Sequence, residues 1–384
     1  MFGSLVAVLQ LFFALTWIVY VIYLPALAAQ AGLERRYVPM ILMMDQVIFL
    51  VCDWYAGVYA DRAARVVGRI GGTMAVATVV SCAAFIALPW VAPAAGAFPF
   101  LLLTVLWSMT SSALRAPPFA IVARHVPAGR QPWTTSLYLL GLGIASALAP
   151  YLGLQLGKTD PRIPFAAASA GLAAFVFALA AAERRVQAAP ATPRPASTPA
   201  AFATMGLFAL ALFFLALGFQ VHSAINSAPS YLRFARPEEL PKLMPVFWIG
   251  FNLAIIPATL LRRFGGAGVI AAAGFVGIAA LVAVARAPAI EPLVVAEAAA
   301  GAAWAVALTS AFTTALEAGR AGHEGLFTGV LFSTLAAAAF LRIALVAGQV
   351  PANPTFGARL VDLPVAAWIV GSLLALSVAR LARR

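Results

Sequence analysis

Apolar residues occur along this chain in runs of about 20, and most polar residues lie in the short segments between the runs. A run of that length, coiled as an α-helix, crosses the hydrocarbon core of a bilayer, which is about 30 Å thick. Twelve runs can be counted, so the pattern predicts twelve transmembrane helices. They cover approximately residues 4–29, 38–59, 71–91, 98–122, 133–156, 163–182, 202–227, 243–261, 267–285, 292–315, 326–349 and 364–381.

The composition supports the same fold class. Hydrophobic residues make up 63% of the 384 residues and charged residues only 10%, whereas soluble domains are about a quarter charged. A transmembrane β-barrel would show strands of about ten residues with alternating hydrophobicity instead of long apolar runs. We therefore predict an all-α polytopic membrane protein.

One polar segment divides the helices into two equal sets. Residues 183–199 carry three arginines and four prolines, which is too polar to cross a membrane and too rich in proline for a regular helix. The predicted units are a six-helix bundle over residues 1–183, a cytoplasmic linker over residues 184–201 and a second six-helix bundle over residues 202–384.

The net charge of +12 is explained by membrane orientation and not by nucleic-acid binding. Basic residues are more frequent in the loops on one side of the predicted helices, and such loops face the cytoplasm. We therefore expect both termini in the cytoplasm, a bacterial inner-membrane location, and contacts with lipid headgroups. The first apolar run exceeds 20 residues and has no Lys or Arg before it, so we expect it to be retained and not removed as a signal peptide. The basic residues that fix the orientation are Arg62, Arg124, Arg184, Arg262, Arg320 and Arg383.

The turn after the second predicted helix carries Gly57, Asp61, Arg62 and Arg65. This Gly-x-x-x-Asp-Arg-x-x-Arg segment resembles the loop between helices two and three of major facilitator superfamily transporters, although Ala64 replaces a glycine of that pattern. In that family the loop latches the two six-helix bundles together on the cytoplasmic side. The resemblance implies twelve helices in two bundles, and it implies that these four residues form a cytoplasmic latch.

Several ionisable residues lie inside the predicted helices: Asp45, Asp53, Arg115, His222, Glu297 and Arg342. Each charge in hydrocarbon costs at least a few kcal/mol, so each needs a structural or functional reason. They could form internal salt bridges that fix helix packing, or they could line a path for solute and protons. Asp45 and Arg342 lie equally deep in helices two and eleven, and in the superfamily that the latch segment resembles these helices face each other across the two bundles. The resemblance therefore implies that the two residues pair when the outer side closes. The alternative is that Arg342 pairs with Glu297 inside the second bundle.

Polar side chains accompany these charges. Helix four carries one polar stripe on a 3.6-residue period, formed by Thr104, Ser108, Ser111, Ser112 and Arg115. The stripe predicts that this face points to water or to the bundle interior. We assign Ser111 to the solute or proton path, together with Tyr20 of helix one and Asn226, which lies one turn from His222 in helix seven. The alternative for His222 is a packed, hydrogen-bonded core residue.

Sites of other chemistry are not evident in the sequence. We find no Walker loop, HExxH or Gly-x-Ser-x-Gly motif, so we predict neither an enzyme nor a cofactor. Cys52 and Cys82 lie in separate apolar runs without neighbouring ligands, which indicates buried thiols and no metal site.

These observations predict a monomeric secondary transporter that moves a small organic solute by alternating access, with protons as the coupling ion. Arg115 in helix four, and Pro150 and Gly153 in helix five, resemble elements of antiporters in the superfamily, which favours export by antiport. Two alternatives stay open. The first is a proton symporter that imports an organic anion, with Arg115 and Arg342 as counter-ions. The second is a membrane scaffold or sensor that transports nothing.

Overall fold

The structure, a computed structural model, describes residues 1–66, 69–186, 199–320 and 322–382, and these residues form helices and short connections without a strand. Eleven helical stretches of this described part are long and apolar enough to cross a membrane. A twelfth span, the predicted helix eight, is built from shorter pieces. The twelve spans, numbered in chain order, begin and end close to their predicted positions.

The first six spans contain these helices: Phe2–Gln30 in span one, Val38–Val66 in span two, Gly71–Ala95 in span three, Ala97–Ser111 and Pro117–His125 in span four, Gln131–Leu156 in span five and Arg162–Arg185 in span six. The last six contain Pro199–Val221 and Ser227–Tyr231 in span seven, Pro245–Ile255 in span eight, Gly266–Arg286 in span nine, Ile290–Ala318 in span ten, Glu324–Ala347 in span eleven and Leu363–Leu381 in span twelve.

Three spans are less regular than the sequence predicts. Span four breaks at a 3-10 turn, Ser112–Leu114, because Pro117 and Pro118 cannot supply the backbone donors of a continuous helix. Span seven contains a π-helical turn, His222–Asn226. Span eight follows its short α-helix with a 3-10 segment, Pro257–Phe264, which begins at a proline.

Two predicted boundaries are wrong. The latch segment was predicted as a turn, but span two continues as helix through Val66, so Gly57 and Asp61 project from a rigid helix and not from a loop. Arg184 and Arg185 were predicted as linker, but they form the last turn of span six, where positive charge interacts favourably with the helix dipole. Most of the predicted linker, residues 187–198, lies outside the described residues.

The spans pack within each half and across the two halves. In the first half, span one packs against spans five and six, and span three packs against spans four and six. In the second half, span ten packs against spans eight and nine, and span twelve against spans seven and nine. The halves meet where span two contacts span eleven and span five contacts span eight.

Glycine sets the approach of the two halves at both contacts. A Cβ atom on Gly57 of span two would overlap the carbonyl oxygen of Gly325 in span eleven, and Gly329 lies one turn farther along the same contact. A Cβ atom on Gly143 of span five would overlap Asn252 of span eight. Spans two and eleven therefore meet backbone to backbone, which is how helices approach most closely in membranes, whereas Gly143 of span five makes room for the side chain of Asn252.

We expect Gly57→Ala to destabilise the protein, because the added methyl group must push spans two and eleven apart. Overpacking of this kind costs about 1–3 kcal/mol. The matched control is Gly153→Ala in span five, where a Cβ atom meets no heavy atom within 4 Å and should be neutral or stabilising. Thermal unfolding of both purified variants tests this, and equal midpoints would contradict the close contact.

Candidate functional site

The contact between the halves where spans two and eleven meet depends on Asp61, which is 5% exposed. Its Oδ1 accepts a hydrogen bond from the backbone N–H of Gly325 at 2.7 Å, and its Oδ2 accepts one from Leu326 at 2.8 Å. Both donors belong to the first turn of span eleven, where the N–H groups have no partner within the helix. A carboxylate there also interacts favourably with the positive end of the helix dipole. Asp61 thus joins span two to span eleven.

The predicted latch residues do not all share this contact. Gly57 packs on Gly325, one turn from Asp61, so these two residues act together. Arg62 is exposed near the C-terminal end of span two. The side chain of Arg65 lies outside the described part of the chain. Arg124 of span four donates to the carbonyl of Ala64 and so stabilises the C-terminal end of span two.

Aromatic side chains fill the space between the halves above the latch. The ring of Phe119 in span four stacks on Phe312 of span ten, with centroids 5.0 Å apart. Phe332 of span eleven contacts Phe119, Phe312 and Tyr138 of span five, with centroids 4.9–6.5 Å apart. These rings are buried and exclude water from the Asp61 end of the interface, so this end is closed in the structure.

Arg115 lies at the edge of this aromatic cluster. Its Nη1 is 2.7 Å from Oδ2 of Asp53 in span two, and the Asp53 side chain is fully buried. The guanidinium also lies over Phe49 of span two and over Phe332 of span eleven, 4.8 and 5.0 Å from the ring centroids. Arg115 therefore forms an ion pair inside its own half and a cation–π contact across the interface.

Asp45 forms a second buried polar cluster in the first half. Tyr20 of span one donates to its Oδ2 at 2.8 Å, and Ser108 of span four donates to its Oδ1 at 2.7 Å. The stripe on span four is buried inside the bundle, as its period predicts: Thr104, Ser108, Ser111 and Ser112 are at most 2% exposed. Ser111 donates to the carbonyl of Ser108 within its own helix.

Glu297 forms the corresponding cluster in the second half. Its Oε2 lies 2.9 Å from Nε2 of His222, and its Oε1 accepts a hydrogen bond from Ser227 at 3.1 Å. The carboxyl group is fully buried and His222 is 2% exposed. Asn226 is directed elsewhere, because its amide donates to the carbonyl of Leu360 before span twelve.

Arg342 has a different environment. Its Nε is buried without a hydrogen-bond partner among the described residues, and none of the ion pairs found there includes Arg342. The outer gate of Asp45 and Arg342 was predicted for a molecule closed on its outer side. Here the end of the interface that holds Asp61 is closed, Asp45 bonds within its own half, and the gate stays a prediction.

One cluster was not predicted from the sequence. Glu183, which begins the polar segment between the two predicted bundles, is 1% exposed and accepts hydrogen bonds from the backbone N–H groups of Ile70 and Gly71 at the start of span three. His125 lies 3.6 Å away and stacks on Phe2 of span one. The carboxylate of Glu183 also interacts favourably with the positive end of the span-three helix dipole.

Among residues 1–66, 69–186, 199–320 and 322–382, no cluster of three or more His, Cys, Asp or Glu side chains is placed to hold a metal ion. Cys52 and Cys82 are free thiols.

The fold is similar to that of solved transporters. The human organic anion transporter MFSD10 (TETRAN) superposes with a TM-score of 0.73 at 14% identity, over 98% of this chain and 97% of that chain. The major facilitator superfamily transporter FucP in its outward conformation gives a TM-score of 0.73 at 13% identity, over 98% of both chains. A variant of FucP, the fucose:proton symporter of E. coli, gives 0.71 at 12% identity, again over 98% of both chains.

These likenesses establish the fold as that of major facilitator superfamily transporters, with two six-helix halves, and they confirm the fold predicted from the helix count and the latch segment. The sequence itself matches no protein-family profile. It also matches no curated protein.

Asp61→Asn should open the cytoplasmic side more often. The amide keeps the shape of the side chain but offers one acceptor to two N–H groups, so about 1.5–3 kcal/mol of hydrogen bonding is lost. A loss of that size shifts the closed-to-open equilibrium about tenfold or more. Distances between spin labels at Arg130 and Arg320, in a background with Cys52 and Cys82 replaced by serine, measure the shift. Asp362→Asn, at an exposed position before span twelve, is the control, and equal distance distributions in both variants would contradict the latch.

Asp53 and Arg115 should behave as one unit. Removing either charge leaves the other uncompensated in a buried site, which costs about 3–5 kcal/mol, whereas removing both relieves that penalty. We therefore expect Asp53→Asn and Arg115→Gln each to lower the thermal unfolding midpoint, and we expect the double variant to recover much of the loss. Additive losses in the double variant would show that the pair is not energetically coupled.

Proposed function

We propose that this chain, which has the fold of major facilitator superfamily transporters, is a secondary active transporter that moves a small organic solute by alternating access. The observation that carries this proposal is the contact between the halves at Asp61. Two hydrogen bonds from backbone N–H groups hold the cytoplasmic side closed, and hydrogen bonds of this kind can exchange with water when the halves separate. A contact of this strength suits a gate that opens and closes repeatedly.

The proton gradient is the proposed energy source. Asp45 and Glu297 are buried carboxyl groups with hydroxyl or imidazole partners and no permanent cation among their hydrogen-bond partners. Such groups can take up and release protons, and the sequence has no nucleotide-binding motif. Arg115 and Asp53 form the ion pair closest to the aromatic cluster, so we assign them to coupling between the halves and not to solute binding.

We propose export by antiport as the first candidate for the direction of transport, because Arg115, Pro150 and Gly153 resemble antiporter elements. One observation favours the second candidate, uptake of an organic anion by symport: the buried Nε of Arg342 has no hydrogen-bond partner among the described groups, and a carboxylate could accept from it. A scaffold or sensor would need no gate, so the latch counts against that alternative.

Flux measurements decide between the two directions. A thermal-shift screen against metabolites and drugs first identifies stabilising ligands, and the purified protein is then reconstituted in liposomes. Under antiport, a stabilising ligand accumulates in vesicles with an acidic interior, because outward proton flow drives it inward. Under symport, it accumulates in vesicles with an alkaline interior. Vesicles treated with a protonophore are the control, and the absence of accumulation under both gradients would overturn the transport proposal.

We also propose that the protein is a monomer in a bacterial inner membrane. Both termini are placed in the cytoplasm because of the positions of the basic loops. A phosphatase reporter that is active only outside the cytoplasm should be inactive when fused after Arg384. It should become active when fused after Arg36, in the connection between spans one and two. The reverse pattern would invert the proposed orientation, and with it the side on which Asp61 acts.

A further inference from the structure

The backbone of span seven changes its geometry beside Glu297. His222–Asn226 form one π-helical turn, in which the N–H of Ser227 bonds to the carbonyl of His222, five residues earlier. Such turns are rare in helices and frequent at functional sites. The turn occurs at the point where span seven faces the buried carboxyl group of span ten.

The π-turn determines which side chains reach that carboxyl group. In a regular α-helix, at about 100° per residue, Ser227 would lie about 140° around the helix from His222. The wider turn stacks residue 227 over residue 222, so both face Glu297. Each carboxylate oxygen then has its own partner: His222 lies 2.9 Å from Oε2, and Ser227 lies 3.1 Å from Oε1.

The other buried carboxyl groups have different partners. Asp53 faces a permanent cation, Arg115, at 2.7 Å. Asp45 is bonded to two hydroxyl groups, from Tyr20 and Ser108. Glu183 also has a histidine nearby, but at 3.6 Å, and its oxygens are occupied by backbone N–H groups at the start of span three. Glu297 therefore combines full burial with a direct contact to an imidazole ring, whose nitrogens can donate or accept a proton.

We propose that His222, Ser227 and Glu297 form a proton-binding site in the second half of the chain and that the π-turn builds it. In the unloaded state a Glu297 carboxylate accepts hydrogen bonds from neutral His222 and from Ser227. Loading adds one proton, which is held on the imidazole nitrogen or on the carboxyl oxygen, and release returns the same proton. The net charge of the site changes from −1 to zero, and no other bond is made or broken.

The position of the site favours exchange of protons with the outer side. Glu297 is seven residues from Ile290, the outer end of span ten, which corresponds to about 10 Å, and 21 residues from its inner end at Ala318, about 30 Å. The latch closes the longer route in this structure. Asn226, next to Ser227, bonds to the backbone of Leu360 at the outer end of the bundle.

Other titratable or charged groups on the elements packed around span ten do not bond to Glu297 in the described structure. Tyr231 has a buried hydroxyl and interacts electrostatically with Glu297. The other titratable or charged groups on span ten and on the spans packed against it include Glu291, Glu317, Arg286, Glu324, Arg342, Tyr138 and Tyr151. We therefore expect substitutions at His222, Ser227 and Tyr231 to have the largest effect on the pH dependence of proton binding at Glu297.

The test is a pH titration of the purified protein without any solute, so it does not depend on the proposed transport. Proton uptake between about pH 5 and 8 is measured with a pH-indicator dye, and the carboxylic-acid band is followed by infrared difference spectroscopy. We expect Glu297→Gln to take up about one proton fewer per molecule than the unmodified chain. We expect His222→Gln to move the midpoint of the titration and Ser227→Ala, which removes a hydrogen-bond donor, to shift the carboxyl band.

Glu291→Gln, at an exposed position in the first turn of the same span, is the matched control and should leave the buried carboxyl band unchanged. Equal proton uptake by Glu297→Gln and the unmodified chain would overturn the site. If Glu297→Gln does not fold, an unchanged spectrum and midpoint in both Ser227→Ala and His222→Gln would overturn it as well. A protein that shows the titration and carries no solute keeps the site and refutes only the transport.

Discussion

The cost of placing charge in an apolar environment governs this structure. A chain with so few charged residues has put several of them inside its membrane spans, and nearly all have a partner on another span: Asp53 with Arg115, Glu297 with His222, and Asp61 with the first turn of span eleven. Each partner offsets a penalty of at least a few kcal/mol. The helices must therefore pack so that these partners meet, and the polar contacts specify which helices are neighbours.

Some of the charged groups have their hydrogen-bond partners inside one half, and others have them partly across the interface. Asp45 and Glu297 are satisfied within one half, so their hydrogen bonds do not involve the other half. Asp61 and the guanidinium face of Arg115 are satisfied partly by the other half, through backbone N–H groups and the ring of Phe332. The polar contacts that join the halves are thus concentrated at Asp61 and Arg115.

The sequence predicted the number and order of the spans well, because a run of apolar residues is a local property of the chain. It also located the polar stripe on span four and the charges that need partners. It could not predict that Asp61 bonds to span eleven, since the two positions are more than 260 residues apart. The π-turn has no local sequence signal either, and it lies where His222 and Ser227 contact Glu297, which is about 70 residues away along the chain. The break in span four was visible in Pro117 and Pro118, and the capping role of Glu183 was hidden by the prolines that follow it.

The 3-10 segment Pro257–Phe264 has a consequence for the fit of the protein to its bilayer. A 3-10 helix rises about 2.0 Å per residue and an α-helix about 1.5 Å, so these eight residues cover about 16 Å where an α-helix would cover about 12 Å. With the 11-residue helix before it, the stretch reaches about 32 Å, close to the thickness of the hydrocarbon core. Because its backbone is more extended than an α-helix, span eight crosses the hydrocarbon core with fewer residues than an α-helix of the same length would need.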